Sequence, residues 1–478
     1  MTTSTARLDT LTELEPHPHS RRRAPSRYGF ALLMPIAWGV LLFGAVYPWA
    51  YIPLLVMAAA IGAYGWSTAT SRSRAPFRRI APALFLVLAV GVVVWLSSRD
   101  STYQAPLDGR PPPGVDQTGA TALLDDLQRA VSRRDPAAAA RLGTSSDART
   151  DLAGVARNAR SLRVADFSLR YVDSSGAVAK DGAWSAHVAT TWRFAGFDDR
   201  LERLEVRVKF APDHGRLRIA GIGGGDRRSP LWLSGPVQVR RGVHSMVLVD
   251  GDAARVVAMA GLARRAVAQV RRVLPNWRGG LVVEVPASER GLDRALHARH
   301  GQYDGIAAVT TTVDGSRARR APSHVFVNPE VFLPLKPRGA QVVITHEATH
   351  VATRASTSPA PIWLVEGFAD YVALNAQRLP VSTTAARIIA LVHRTGVPEH
   401  LPTREEFEAG TPHLEARYES AWLACRLLAQ DGGTANLVAF YEAVDAGGRV
   451  APEMRRYFGF GPASFTKQWR TLLSHLPA

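Results

Sequence analysis

The sequence predicts a multidomain chain: a three-helix transmembrane segment, an α+β domain, and a second α+β domain with a small sheet and a mainly helical C-terminal half. Three observations predict it. Residues 28–97 contain long, almost uncharged apolar stretches. Between 167 and 222 the apolar residues recur every second position, the period of half-buried strands. From 341 onward the apolar spacing is helical nearly to the end.

The stretch 28–66 is too long for one membrane span and right for two, turning at YPWAYIP; residues 80–97 make a third. The expected spans are about 28–46, 50–66 and 80–97. A cleavable signal peptide is the rival reading of the first, but the long N-terminal region and the two further spans argue against it. Basic flanks RRRAPSR (21–27) and SRSRAPFRR (71–79) put the N-terminus and the second loop on the cytoplasmic side. Three spans then place everything after residue 98 outside. The expectation is a multi-pass protein of the cell membrane, in contact with the lipid bilayer, whose C-terminal domains are extracytoplasmic.

Of 58 basic residues four are lysine (Lys180, Lys209, Lys336, Lys467), a bias of codon usage that says nothing about chemistry. Residues 1–100 carry ten arginines against four acids, +6, and the remainder 48 bases against 37 acids, +11. Such a surface could favour anionic polymers or headgroups. The bases are scattered, however, which suits a plain solvated surface, and no motif speaks for nucleic acid. The single cysteine, Cys425, cannot form an internal disulfide and reads as a small core residue.

Residues 99–118 are polar and proline-rich, a spacer. In the expected domain 119–230, ATALLDDLQRAVSRRDPAAAARLG reads as a helix or helix pair. FSLRYV (167–172), WSAHVATTWRF (184–194), EVRVKF (205–210) and RLRIAGI (216–222) read as antiparallel strands with one covered face. In the second of these Trp184, Ala186, Val188, Thr190, Trp192 and Phe194 share a side. The pattern resembles the cone-like nuclear-transport-factor-2-like or SnoaL-like fold, without a residue signature. Asp125 and Asp126 decorate a helix surface, so an interaction or spacer module is the default over a ligand pocket.

The expected domain 231–478 opens with paired strands in 231–251. A long amphipathic helix follows at 251–275, then a strand at 281–288, a short helix at 289–300, and strands at 306–313 and 323–332. The next stretch, QVVITHEATHVATRASTSPAPIWLVEGFADYVALNA, carries the chemistry. His346 and His350 lie four apart, on one face of a helix, and can aim two imidazoles at one point. Neutral imidazole suits Zn²⁺, whose catalytic sites take three protein ligands and leave a position for water. Glu347 is placed to accept that water's proton. Glu366, on a second helix entered through STSPAPI, is the candidate third ligand. Asp370, one turn further, can accept the remaining N–H of a ligand histidine. A lone HExxH also occurs in solvated helices; the ordered ExxxD on the following helix separates the two readings.

HExxH with a downstream EGxADY resembles the gluzincin branch of zinc metallopeptidases, specifically bacterial peptidase MA-like domains. The likeness covers roughly 240–478, with motif matches at 346–350 and 363–371. It implies His346, His350 and Glu366 as ligands of one Zn²⁺, Glu347 as general base and Asp370 as the residue orienting His346. The spacing departs from the best-known members: fifteen residues separate His350 from Glu366, a tighter connection. The family also needs a Tyr or His donor for the oxyanion. Tyr418 resembles the Tyr that opens the corresponding helix, the alternative being an aromatic packed near Trp422. His393 and His413 are the other candidates, each readable as a surface histidine, and Tyr371 is expected to pack beneath the metal helix. By the same analogy HVFVNP (324–329) is the strand edge that pairs with an extended substrate, or else a core strand.

The expected function is therefore membrane-anchored, zinc-dependent hydrolysis of peptide bonds in a peptide or protein substrate. The alternatives are a catalytically silent zincin-fold scaffold at the cell surface, and a hydrolase of cell-wall polymers.

Overall fold

The structure is a computed structural model and describes residues 114–477 except 378 and 409–410. Among these residues no helix is long and apolar enough to cross a membrane. The longest helical runs are charged: Ala253–Val273 carries five arginines, and Leu414–Asp445 carries arginines and acids. Against the expected three-helix transmembrane segment, and the multi-pass, extracytoplasmic placement built on it, the described residues hold no spanning helix. The described fold is α+β, and the stretches 28–46, 50–66 and 80–97 lie outside the described residues.

The first half begins with three helices, α1 (Gln117–Ser132), α2 (Pro136–Ala140) and α3 (Ser146–Leu162). Each starts on a side-chain cap. Asp116, Asp135 and Ser145 accept hydrogen bonds from the main-chain N–H of Gly119, Ala138 and Ala148. α3 was not foreseen; its alanine-rich, arginine-dotted sequence has a weak apolar stripe. Four strands follow, β1 (Val164–Ser175), β2 (Trp184–Phe194), β3 (Glu202–Asp213) and β4 (Arg216–Ile222), forming an antiparallel meander in sequence order. The alternate residues of β2, from Trp184 to Phe194, are all buried, packed with Leu124, Leu127, Leu152 and Leu162 of the helices.

The second half opens differently from expectation: LWLS forms a short helix, α4 (Leu231–Ser234), rather than a strand. Its Trp232 is driven into the first half, edge-on to Phe167 at 5.4 Å and Trp192 at 5.7 Å. Asn158 of α3 holds it there, its amide donating to the carbonyls of Trp232 and Gly235 at 2.7 Å each. A second sheet contains β5 (Gln238–Arg241), β6 (Ser245–Val249), β7 (Leu281–Val285), β8 (Ala308–Thr312) and β9 (Ser323–Val327), in the order β5-β6-β7-β9-β8. β6, β7 and β9 are parallel, while β5 and β8 run antiparallel at the two edges.

Both faces of this sheet are covered, which is why SMVLV and LVVEV are buried at every position. Val247, Val249, Val283, Val285, Val325 and Val327 pack with helix α5 (Ala253–Val273) and the helices beyond it. Met246, Leu248, Val282 and Phe326 join the core of the first half. The two halves thus share a hydrophobic core and belong to one compact unit.

β9 is the interior strand between β7 and β8, so 324–329 is not a substrate-pairing edge. The strand also ends at Val327, because Asn328 caps a helical turn, α7 (Pro329–Phe332), after the short helix α6 (Glu289–Leu296). The edge is β8. Helices fill the remainder: α8 (Pro337–Thr353), α9 (Ile362–Asn375), α10 (Val381–Thr384), α11 (Ala386–Thr395), α12 (Leu414–Asp445), α13 (Val450–Phe458) and α14 (Pro462–Ser474). α12 is broken at Gly433, whose φ of 81° and ψ of 159° leave the helical region.

Candidate metal centre

α8 and α9 build the site. Pro337 at its first position starts α8, and left-handed Arg354 ends it, its N–H donating back to the carbonyls of His350 and Val351. A 3₁₀ turn, Ala355–Thr357, and the segment through Pro361 reverse the chain into α9. The fifteen-residue interval between His350 and Glu366 is thus met by helix ends and one short turn.

His346, Glu347 and His350 are buried, and Glu366 and Asp370 half-buried. The imidazoles of His346 and His350 meet edge-to-face, their centroids 4.5 Å apart. Glu366 Oε2 lies 3.2 Å from His346 Nε2 and 3.2 Å from His350 Nε2. Four ligands at zinc's bond lengths of about 2.0–2.1 Å stand roughly 3.3–3.4 Å apart along the tetrahedron's edges. Two observed separations match that edge, so these three side chains fit the ion.

Proton accounting agrees. His346 Nδ1 is 2.7 Å from Asp370 Oδ1, so its N–H donates there and a neutral ring presents the Nε2 lone pair to Glu366. A lone pair facing a carboxylate oxygen needs a positive charge between them. In the protein alone a proton supplies it. Burial would lower the His346 pKa, but the charge and hydrogen bond of Asp370, then those of Glu366, hold it well above its ordinary value. Burial would likewise raise the Glu366 pKa, yet the charge of His350 and the hydrogen bonds from both histidines hold it well below the carboxylate range. His350 Nδ1 is buried without a partner among the described residues.

Glu347 sits on the same helix beside both rings. Burial pushes its carboxyl pKa up, offset in part by the charges of His346 and His350 and by a hydrogen bond from Thr310. The Thr310 hydroxyl, on edge strand β8, is 2.7 Å from Glu347 Oε2 and 3.1 Å from the Glu347 carbonyl oxygen. Sequence reasoning missed Thr310. It is one of three consecutive threonines, and nothing local marks the one that meets α8.

Tyr418 of α12 comes to the site, its ring edge-on to His346 at 6.1 Å and to Phe407 at 4.9 Å. Burial, then the charges of Glu366, Asp370 and Glu347, push its phenol well above its usual value, keeping the hydroxyl a proton donor. His393 and His413 are exposed, outside the cluster. The Tyr371 hydroxyl hydrogen-bonds Thr434 of α12 at 2.7 Å, and the ring is buried in the hydrophobic core. Gly367 lets α12 approach Glu366's helix: a Cβ there would stand 2.2 Å from the carbonyl oxygen of Ala421.

No family model matches this chain, and no curated protein matches it.

Proposed function

We propose that the chain is a zinc-dependent metallopeptidase of gluzincin type that hydrolyses peptide bonds. One observation supports the reading above the others. An oxygen of Glu366 stands 3.2 Å from Nε2 of His346 and 3.2 Å from Nε2 of His350, close to the edge of a zinc tetrahedron, with a buried carboxylate, Glu347, on the adjoining helical position.

Zn²⁺ held by His346, His350 and Glu366 would supply a bound water of lowered pKa and a Lewis acid for a scissile carbonyl. The chain's own groups do the rest. Asp370 keeps the proton on Nδ1 of His346, so that Nε2 stays a lone pair aimed inward. Glu347 takes a proton from the attacking water and returns it to the leaving amine; its raised pKa suits a group that must do both. Thr310 holds that carboxylate in one rotamer. The Tyr418 phenol donates to the oxygen on which negative charge develops. β8, anchored beside the site through Thr310, offers its outer main-chain edge to an extended peptide.

The test is zinc content and digestion of a mixed peptide library by the full chain, wild type beside Glu366→Ala and Glu347→Gln. Loss of one zinc equivalent in Glu366→Ala, with full zinc but no hydrolysis in Glu347→Gln, is the expected result. Zinc unchanged by Glu366→Ala would overturn the ligand assignment, and zinc without hydrolysis by wild type would overturn the activity.

A further inference from the structure

Where the second sheet meets the first half, four ionisable side chains are shut away from water. His324 of β9 is 1 % exposed, Glu284 of the neighbouring β7 3 %, Asp198 of the β2–β3 connection 6 % and Glu202, first residue of β3, 0 %. The apolar core shared by the two halves surrounds them, and Phe194 stacks on the imidazole at 5.6 Å.

Their arrangement repeats that of the first centre. Nδ1 of His324 lies 2.7 Å from Glu284 Oε1, just as Nδ1 of His346 lies 2.7 Å from Asp370. With its proton held on Nδ1, the ring turns Nε2 toward Asp198 Oδ1, 3.1 Å away. The other Asp198 oxygen accepts the main-chain N–H of Phe194 at 2.6 Å, fixing the carboxylate. Glu202 completes the group: a donor atom from each of Asp198, Glu202 and His324 lies within 4.8 Å of the other two.

Glu202 points to a ligand. Both its carboxylate oxygens are buried and neither has a hydrogen-bond partner among the described residues. An isolated carboxylate so placed is costly unless a cation meets it. The guanidinium groups that feel this cluster are engaged elsewhere: Arg228 donates to the carbonyls of Thr312 and Val313, Arg241 to those of Leu162 and Ala195.

We propose that Asp198, Glu202 and His324 hold a second Zn²⁺, a structural ion that ties the two halves together, with Glu284 orienting the histidine. Two carboxylates neutralise the dication, and an imidazole backed by a carboxylate is a strong donor to it. The rival arrangement is a shared-proton network. There burial pushes the Glu202 carboxyl up to about 9. Burial opposes protonation of His324, but Asp198 and Glu284 hold its pKa up to about 10.

The experiment is metal analysis of the full chain produced with Zn²⁺ supplied, comparing wild type, Glu366→Ala, Glu202→Gln and the double variant. Two zinc equivalents in wild type, one in each single variant and none in the double variant are expected. The ion left in Glu366→Ala must show a single imidazole by X-ray absorption, whereas the α8 centre would show two. Should Glu202→Gln fail to fold, Glu366→Ala decides by that spectrum. A wild type with one zinc that Glu366→Ala loses would overturn the second site and leave the proposed peptidase centre standing. One zinc kept in Glu366→Ala and lost in Glu202→Gln would do the reverse. Glu202→Gln with as much zinc as wild type would identify the cluster as a proton-sharing lock.

Discussion

His346 Nδ1 stands 2.7 Å from Asp370 Oδ1, a bond that joins α8 to α9 and leaves Nε2 of the same ring facing Glu366 at 3.2 Å. The orientation of one proposed zinc donor thus depends on a carboxylate outside the proposed ligand set. Asp370→Asn keeps the size of the side chain and removes its charge. Zinc affinity, read by competition with a chromogenic chelator, is expected to weaken roughly 10–100-fold. An unchanged affinity would show that the pairing does nothing for the metal.

Thr310 orients Glu347 from across the sheet edge. Thr310→Val conserves shape and deletes the hydroxyl. Zinc content should stay whole while kcat on a peptide substrate drops about tenfold, with little change in KM. Loss of zinc together with activity would mean that Thr310 serves the packing of β8 on α8 instead.

Gly367 marks the point where α9 and α12 touch. In Gly367→Ala the added methyl meets the Ala421 carbonyl oxygen at 2.2 Å, so one helix must move, at a cost of about 1–3 kcal/mol. Because Glu366 is the adjacent residue, zinc affinity should fall along with the melting temperature. A variant melting as wild type does would show that the two helices separate freely.

Glu419 accepts the main-chain N–H of Ile388 at 2.7 Å, at the start of α11. Burial raises its carboxyl from 4.5 to about 7, against the hydrogen bonds that favour the anion. Between those pH values the folded chain holds a proton that the unfolded chain has released. Stability therefore falls as pH rises through that window and levels off above it. Glu419→Gln, which can still accept from Ile388, should flatten that slope. Urea midpoints measured across the window for both proteins check it; equal slopes would remove Glu419 as the cause.

Much of this molecule was legible locally. The alternation from Trp184 to Phe194 is the burial of β2, because successive strand side chains point to opposite faces. His346 and His350 share a helical face by their spacing, and Glu366 and Asp370 do the same on the next helix. Other features were not legible. LWLS carries no mark of helix, and it becomes α4 as Trp232 enters the first half's core. SHVFVNPEVF could be an edge or an interior strand, and only its pairing with both β7 and β8 decides. Asp198 and Glu202 lie close in sequence, but Glu284 and His324 are some 80 and 120 positions further on, and the four meet where the halves close.

By itself, then, the sequence determined most of the elements and the residues each presents together, since strand and helix periods act over a few positions. It determined that His346 and His350 share a face of α8 beside Glu347, and that Glu366 and Asp370 share a face of α9. Only the tertiary structure decided which edge faces the site, that Thr310 steadies Glu347, and that a second buried cluster exists. Those relations join residues tens to more than a hundred positions apart. Burying both faces of one sheet sets them, and no local period records that.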